Sequence, residues 1–199
     1  MKPKRLFIFS APSGAGKTTI ARHLLESYPH LTFSISATTR PKRPNEEHGK
    51  DYYFLSREEF HEAVQRDEFA EYEEFFGNCY GTLKSEIQQA LDTGKSLVFD
   101  VDVKGALSLK RAYPDEALLI FVAPPSLEEL RRRLNARNTE SSEQLRLRCE
   151  RAEMEMQEQG KFDVVIINDE LPKALEAARA IAEQYMSVSG TVESAKSLA

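Results

Sequence analysis

Short apolar runs alternate along the chain with segments of helical periodicity. Four of these runs are rich in β-branched and aromatic residues and are too continuous for strands with one face in water, so they predict buried strands. They span residues 5–10, 96–101, 117–122 and 163–167. Apolar positions three and four residues apart predict helices whose stripes begin at Ile20, Leu127 and Leu171. This βαβα order predicts an α/β protein built on a parallel sheet.

Two segments interrupt the alternation. Residues from about 32 to 91 carry prolines, many aromatic side chains and mixed short strands and helices, and we interpret them as an inserted substrate-binding subdomain. Residues 135–142 form a polar break between two helices, in which Ser141 and Gln144 have the spacing of a capping box. We expect this break to act as a mobile lid, and we expect the small, polar tail at 187–199 to be frayed.

Length and composition agree with one domain of this layout. The chain has 199 residues, of which 41% are hydrophobic and 30% are charged, as in ordinary globular proteins. We assign the core to residues 1–31, 92–134 and 159–186, the subdomain to about 32–91 and the lid to about 135–158.

The sequence predicts a cytoplasmic location. No apolar stretch approaches the roughly 20 residues of a membrane helix, and the apolar run at residues 6–9 is too short for the core of a signal peptide. The two cysteines, Cys79 and Cys149, form no CxxC motif, so neither a disulfide framework nor a zinc site is expected. We therefore expect both thiols to be reduced.

The net charge argues against nucleic acids as partners, whereas the distribution of arginines indicates a local anion site. A net charge of -5 gives no overall positive field for non-specific nucleic-acid binding, and we expect neither a nucleic acid nor a membrane as partner. Seven of the fifteen arginines nevertheless lie within residues 131–151, with no lysine among them. The planar guanidinium group pairs well with phosphate, so this stretch is a candidate anion site. Its arginines are Arg131, Arg132, Arg133, Arg137, Arg146, Arg148 and Arg151.

The strongest chemical signal lies between the first predicted strand and the first predicted helix, the context of a phosphate-binding P-loop. Glycines there let backbone N–H groups close around phosphate oxygens, Lys17 can reach the β- and γ-phosphates, and the Thr18 hydroxyl can ligate Mg²⁺. Ala11 replaces the usual first glycine, which a negative φ would allow. The alternative is a glycine-rich turn before an ordinary helix. The loop reads Ala11-Pro12-Ser13-Gly14-Ala15-Gly16-Lys17-Thr18.

A site for a magnesium nucleotide also needs a carboxylate at the end of a neighbouring strand. Asp100 and Asp102 are two residues apart after a buried run, so we expect them to share a face at the carboxyl edge of the sheet. The alternative, above all for Asp102, is a cap on the next helix. We expect Mg²⁺ to arrive with ATP and to be held by Thr18, phosphate oxygens and water, with Asp100 acting through water. Surface positions rather than a metal site are expected for His23, His30, His48 and His61.

Several further motifs occur in one order along the chain. They are the runs 34–44 (SISATTRPKRP), 49–54 (GKDYYF), 76–82 (FGNCYGT), 100–102 (DVD) and 166–169 (IIND), with Glu71, Arg133, Arg137 and Arg148. Together with the P-loop they resemble the guanylate kinase family, over nearly all of residues 5–185. The chain departs from the family pattern at Cys79, Lys104 and Asn138, and none of these changes removes a catalytic group.

The resemblance implies a P-loop parallel-sheet core with helices on both faces, an inserted mixed α/β GMP-binding subdomain and a helical lid. It implies transfer of the γ-phosphoryl group of MgATP to GMP, giving ADP and GDP. The residues implied for ATP are those of the loop at 11–18, with Thr19 and Asn168. Those implied for GMP are Ser36, Arg40, Arg43, Tyr52, Glu71, Tyr80, Thr82, Asp100 and Asp102. Those implied for the transfer itself are Lys17, Arg133, Arg137 and Arg148.

The residues implied for guanine also fit its hydrogen-bonding groups. Guanine donates from N1 and N2 and accepts at O6, so a selective site needs a carboxylate and a hydroxyl or amide donor, which Glu71 and Ser36 supply. Without the resemblance, residues 40–44 would be a solvated basic loop, Glu71 a surface strand residue and Thr82 a helix N-cap.

The arginine-rich stretch divides into two groups. Arg133 and Arg137 are four residues apart and would lie on one helix face if the helix persists, and Arg148 can converge with them on one anion. We expect Arg131, Arg132 and Arg151 to lie on an exposed face, with Glu128, Glu129, Glu140 and Glu143 as partners. Asn168 resembles an adenine contact, but it is equally a turn residue at a strand end.

Two other functions stay open on the sequence alone. One is a guanylate-kinase-like module that binds proteins and has no catalytic activity, which the intact Lys17, Thr18 and lid arginines disfavour. The other is a P-loop kinase with a different phosphorylated acceptor, which Glu71 and Ser36 disfavour.

Overall fold

Five parallel strands form the central sheet of the protein, in the order β2-β7-β1-β8-β9. Their bounds are β1 Leu6–Ser10, β2 Leu31–Phe33, β7 Ser96–Asp100, β8 Ala117–Ala123 and β9 Val164–Ile167. The computed structural model describes residues 3–75, 77–135 and 142–186, with the backbone alone at Phe75 and 142–145. The four strands predicted from apolar runs are confirmed. The strand β2 was not predicted, and its residues Thr32 and Phe33 pair with β7 of the central sheet.

Helices cover both faces of this sheet, because successive strand residues point to opposite sides. Phe7 and Phe9 pack with the helices α1 (Lys17–Ser27) and α7 (Leu171–Met186) on one side. Leu6 and Ile8 pack with α3 (Lys84–Asp92) and α4 (Val103–Ala112) on the other. All four of these strand side chains are fully buried, so β1 lies between two hydrophobic layers and its carboxyl end is held in place.

A second, smaller sheet has the strand order β4-β3-β6-β5 and mixes parallel with antiparallel pairs. Its strands are β3 Ala37–Thr38, β4 Tyr53–Phe54, β5 Phe69–Phe75 and β6 Asn78–Leu83. The helix α2 (Arg57–Gln65) begins with a capping box of Ser56 and Glu59 and packs Phe60 on Phe69 at 4.4 Å between ring centroids. Strand β5 also packs against α4, which brings this sheet to the carboxyl edge of the central one.

Two helices flank the polar break predicted at residues 135–142, and the second of them lies within the predicted lid. The helices α5 (Leu127–Asn135) and α6 (Ser142–Gln157) pack together through Leu130, Leu134, Ala152 and Cys149. A short 3₁₀ turn then leads into β9. Residues 136–141, with Arg137 and the predicted cap Ser141, lie outside the described residues, as does the tail at 187–199. Of the helices described, none is long and apolar enough to cross a membrane.

Candidate functional site

The P-loop connects the end of β1 to the first residue of α1. Gly14 and Gly16 have φ of 90° and 95°, which side-chain-bearing residues rarely adopt, and the Ala15 N–H donates to the Pro12 carbonyl at 3.1 Å. Asp67 is the one non-glycine residue in the described ranges with positive φ. Ala11 therefore has the negative φ that makes a first glycine unnecessary, and the loop is confirmed as a tight turn that opens a helix.

Asn168 supports this loop from below. Its side chain is buried at 6% exposure, and its Nδ2 donates to the Ala15 carbonyl at 2.7 Å. A Cβ on Gly16 would lie only 2.3 Å from that Nδ2. The structure therefore gives Asn168 the role of holding the loop backbone, and its contact with adenine stays a prediction.

Three side chains of the loop and the adjacent strand end form a compact polar group. The Lys17 Nζ lies 2.5 Å from Asp100 Oδ1 and donates to the Val101 carbonyl at 2.8 Å, and the Thr18 hydroxyl donates to Asp100 Oδ2 at 2.9 Å. A hydroxyl beside a carboxylate is the type of oxygen donor set that suits Mg²⁺. The residues present therefore fit the expected metal.

Asp102 corrects the expectation that the two aspartates extend from one strand. Strand β7 ends at Asp100, and Asp102 is the N-cap of α4, where its Oδ1 accepts from the Gly105 N–H at 2.7 Å. The capping alternative is thus the observed one. The Asp102 carboxylate nevertheless lines the same cleft as Asp100.

A cleft of about 1080 Å³ opens between the P-loop, the small sheet and α6. Among the predicted site residues that line it are Ala11, Pro12, Ser13, Gly14, Gly16, Lys17, Thr18, Thr19, Ser36, Tyr52, Glu71, Tyr80, Asp100, Asp102 and Arg148. Six described residues of the predicted set do not line it, namely Ala15, Arg40, Arg43, Thr82, Arg133 and Asn168. Arg43 has an exposed side chain, Arg133 pairs with Glu129 at 2.7 Å, and Asn168 lies beneath the loop.

Glu71 is a carboxylate of the small sheet that lines the cleft. The buried Thr82 hydroxyl donates to its Oε1 at 2.6 Å. Burial raises the pKa of Glu71, against the lowering effect of that hydrogen bond. The alternatives drawn from these residues without the resemblance were wrong. Glu71 is not a surface strand residue, and the N-cap of α3 is Leu83 rather than Thr82.

Arg40 is held in place by a residue that the sequence did not single out. Its Nη2 donates to Glu46 Oε1 at 2.7 Å, and its guanidinium lies 5.4 Å from the centre of the Tyr52 ring. The other Glu46 oxygen accepts from the Arg43 N–H at 2.8 Å. The hydrogen bond from Arg40 is the main cause that lowers the pKa of Glu46. No spacing rule indicated this contact, because it depends on how the loop turns back.

One face of α6 also lines the cleft, and it corrects the assignment of Arg151. Leu147, Arg151 and Glu155 are spaced four residues apart, and all three line the cleft beside Arg148. Arg151 was expected on an exposed face. That expectation is confirmed for Arg132, which pairs with Glu129, whereas Arg131 is exposed as expected but pairs with Glu153, which was not among the expected partners.

Glu73 is a cleft residue that the sequence analysis missed. It is two residues from Glu71 on β5, so both carboxyls point to one side, and that spacing was the available signal. Burial, the charge of Asp102 and a hydrogen bond with Asp102 raise the pKa of Glu73 to about 7, while Arg151 acts in the opposite direction. Glu73 therefore changes charge near neutral pH.

This raised pKa predicts a pH-dependent effect of Glu73→Gln on stability. A carboxyl with a pKa of 4.5 unfolded and about 7 folded stabilises the fold at low pH, and that contribution is lost as the pH rises through 7. Glutamine cannot ionise, so at pH 8 the variant should gain about 1 kcal/mol over wild type, or roughly 2–4 °C in Tm, after allowing for partial exposure.

Thermal unfolding at pH 5 and pH 8 measures this difference, with the exposed neighbour Glu74→Gln as the matched control. A Tm difference between Glu73→Gln and wild type that is the same at both pH values would contradict the assignment.

Comparisons with known proteins point to one family. A family model described as guanylate kinase matches residues 3–185. A guanylate kinase of Chlorobaculum tepidum is 54% identical over 180 residues, which are 90% of this chain and 92% of that protein. A guanylate kinase of Salinibacter ruber is 47% identical over 94% of this chain and 100% of its own length. The crystal structure of guanylate kinase from Anaplasma phagocytophilum superimposes with a TM-score of 0.71 at 31% identity, over 94% of this chain and 89% of that one.

Proposed function

The chain belongs to the guanylate kinase family and is a phosphotransferase of that kind, and we propose how its own cleft transfers the γ-phosphoryl group of MgATP to GMP. One observation carries the proposal. The P-loop and the Glu71–Thr82 pair open onto a single cleft, so a nucleoside triphosphate and a guanine nucleotide can meet in it. We also propose a cytoplasmic location, in keeping with two free cysteines, Cys79 and Cys149.

The P-loop would hold the phosphates of ATP. Its backbone N–H groups and the N-terminal end of α1 attract the oxygens, and Lys17 adds a full positive charge at the helix start. The loop needs no rearrangement to do so, because Asn168 already fixes the Ala15 carbonyl and excludes a side chain at Gly16. Preorganised donors of this type act on the charge that develops during transfer.

Thr18 and Asp100 would hold Mg²⁺, which when bound neutralises charge on the phosphate oxygens. The Asp100 carboxylate also fixes Lys17, which lies 2.5 Å from it. The loop and the end of β7 thus present their charged groups to the same side of the cleft.

At the other end of the cleft, Glu71 would accept hydrogen bonds from guanine N1 and N2, and Ser36 would donate to O6. The Thr82 hydroxyl fixes one oxygen of Glu71 and leaves the other for the base. Arg40, over the ring of Tyr52 and tied to Glu46, would meet the phosphate of GMP together with Tyr80.

Phosphoryl transfer needs alignment and neutralisation more than a strong general base. Arg148 on α6 lines the cleft beside the P-loop, where its charge would stabilise the transferring group. Closure of the lid would exclude water, which would otherwise accept the phosphoryl group.

The two rival functions have less support. A protein-binding module without catalytic activity would have no need for the linked side chains of Lys17, Thr18 and Asp100. All three are present here and contact one another. An acceptor other than GMP would not explain the buried Glu71–Thr82 pair, since a desolvated carboxylate is costly unless its ligand donates to it.

A Glu71→Gln variant tests the choice of acceptor. An amide in place of the carboxylate matches the guanine donors poorly, which should cost about 1 to 3 kcal/mol and raise the KM for GMP roughly 5- to 150-fold. The KM for ATP should change little. A coupled ADP-release assay with GMP, AMP, UMP, CMP and TMP as acceptors measures both the affinity and the preference.

Glu74→Gln on the exposed side of the same strand is the control and should behave as wild type. If Glu71→Gln kept both the KM for GMP and the preference over AMP, Glu71 would not be the base-binding group.

A further inference from the structure

Charged side chains from three parts of the protein meet on one wall of the cleft. Arg151 of α6 donates from Nε to Glu155 Oε1 at 2.8 Å, and its Nη2 lies 3.6 Å from Asp102 Oδ2. The Glu73 side chain of β5 is hydrogen-bonded to that of Asp102 at the start of α4. The helix beside the lid, the core and the GMP-binding sheet are therefore joined by one network.

The acceptors of this network are more buried than those of the other described ion pairs of α5 and α6, although the Arg151 side chain itself is 41% exposed. The side chains of Asp102 and Glu155 are only 15% and 14% exposed, whereas the Arg131–Glu153 pair is 58% and 37% exposed. Exposed pairs contribute little to stability or geometry, but breaking a pair whose acceptor is buried leaves an uncompensated charge. Arg151 is therefore placed to fix its partners, not only to decorate a helix.

The Asp102 oxygen that does not cap α4 lies 3.6 Å from this cation. Glu71 and Glu73 of β5 and Glu155 of α6 all interact electrostatically with Asp102, and repulsion among these negative charges would push the carboxyl groups apart. Lys17, the other cation near Glu155, also pairs with Asp100. Arg151 thus provides the positive charge that lies directly against Asp102.

We infer that Arg151 and Glu73 are positioning residues for GMP: from opposite sides they hold Asp102 beside Glu71, and they tie the GMP site to the helix that follows the lid. This inference rests on the proposed function, in which guanine binds at Glu71. It means that a residue on the lid side of the cleft determines affinity for the acceptor, and that GMP and α6 respond to each other through one ion network.

The test is a double-mutant cycle with Arg151→Ala and Glu73→Ala, with the KM for GMP, the KM for ATP and kcat as readouts. Each single variant should raise the KM for GMP roughly 3- to 10-fold and leave the KM for ATP within about twofold. The double variant should resemble the worse single variant, because the two side chains act through one contact set. Circular dichroism establishes that each variant is folded.

Conservative variants separate positioning from a general structural effect. Arg151→Lys retains a cation, and Glu73→Gln retains a donor toward Asp102, so each should recover most of the GMP affinity that its alanine variant loses. Arg131→Ala on the exposed face of α5 is the control and should leave both KM values unchanged.

The inference is overturned if the two alanine effects simply multiply, if the KM for ATP rises as much as that for GMP, or if Arg151→Ala has no effect. The Glu71→Gln variant tells these failures apart. If it raises the KM for GMP while Arg151→Ala does not, only the positioning role fails. If Glu71→Gln is silent as well, the proposed base site itself is wrong.

Discussion

Replacing Lys17 by alanine should lower kcat by roughly two to three orders of magnitude, the scale seen when a single preorganised group that stabilises transition-state charge is removed. The ammonium lies at the first position of α1, where the loop N–H groups and the helix dipole already favour phosphate. It is also tied to Asp100, so it is held at the mouth of the loop before a nucleotide arrives. Its loss would remove positive charge where negative charge moves during transfer.

The fold should tolerate this change, because the Lys17 side chain packs in no hydrophobic cluster of the described core and Asp100 keeps its hydrogen bond from the Thr18 hydroxyl. Steady-state kinetics with MgATP and GMP give kcat, and thermal unfolding reports stability. Lys50→Ala serves as the control, since that side chain is 75% exposed. Turnover near the wild-type rate in a folded Lys17→Ala protein would contradict the role assigned to Lys17 in the transfer.

The architecture was predictable because burial on both faces leaves a clear trace in sequence. Strand β1 must be apolar at every position, since Leu6 and Phe7 face different helical layers. The P-loop was equally clear, because its glycines, its lysine and its place between strand and helix are all local features. The strand β2 escaped detection because three residues at a sheet edge carry too little pattern.

Site residues were harder to predict where their position depends on a turn of the backbone or on the orientation of a helix about its own axis. Asp102 was placed on a strand because it lies two positions after Asp100, but the chain leaves the sheet after Asp100 and begins α4. Arg151 was assigned to the wrong face because the rotation of α6 is set by packing of Ala152 and Cys149 on α5. Such contacts are long-range and leave no periodic signal that distinguishes cleft from solvent.

The sequence could have indicated Glu73 as a site residue, but it could not have indicated Glu46. The i,i+2 spacing of Glu73 from Glu71 predicts a shared strand face, so once Glu71 was chosen its neighbour was open to inference. Glu46 lies in a loop and reaches Arg40 across six residues. Its role depends on the path of that loop, which only coordinates describe.

Replacing Arg148 by alanine should lower kcat by roughly 100-fold or more while ATP affinity without GMP changes little, because its charge is needed chiefly as the phosphoryl group moves. Arg148 lines the cleft, whereas Arg132 is 73% exposed and bonded to Glu129, so Arg132→Ala is the matched control and should be nearly silent. Arg137 lies outside the described residues, and the sequence predicts the same behaviour for it. Single-turnover rates and equilibrium ATP binding separate the two quantities. Equal penalties at Arg132 and Arg148, or a loss confined to ATP affinity, would mean that the α6 arginine acts on binding rather than on the transfer.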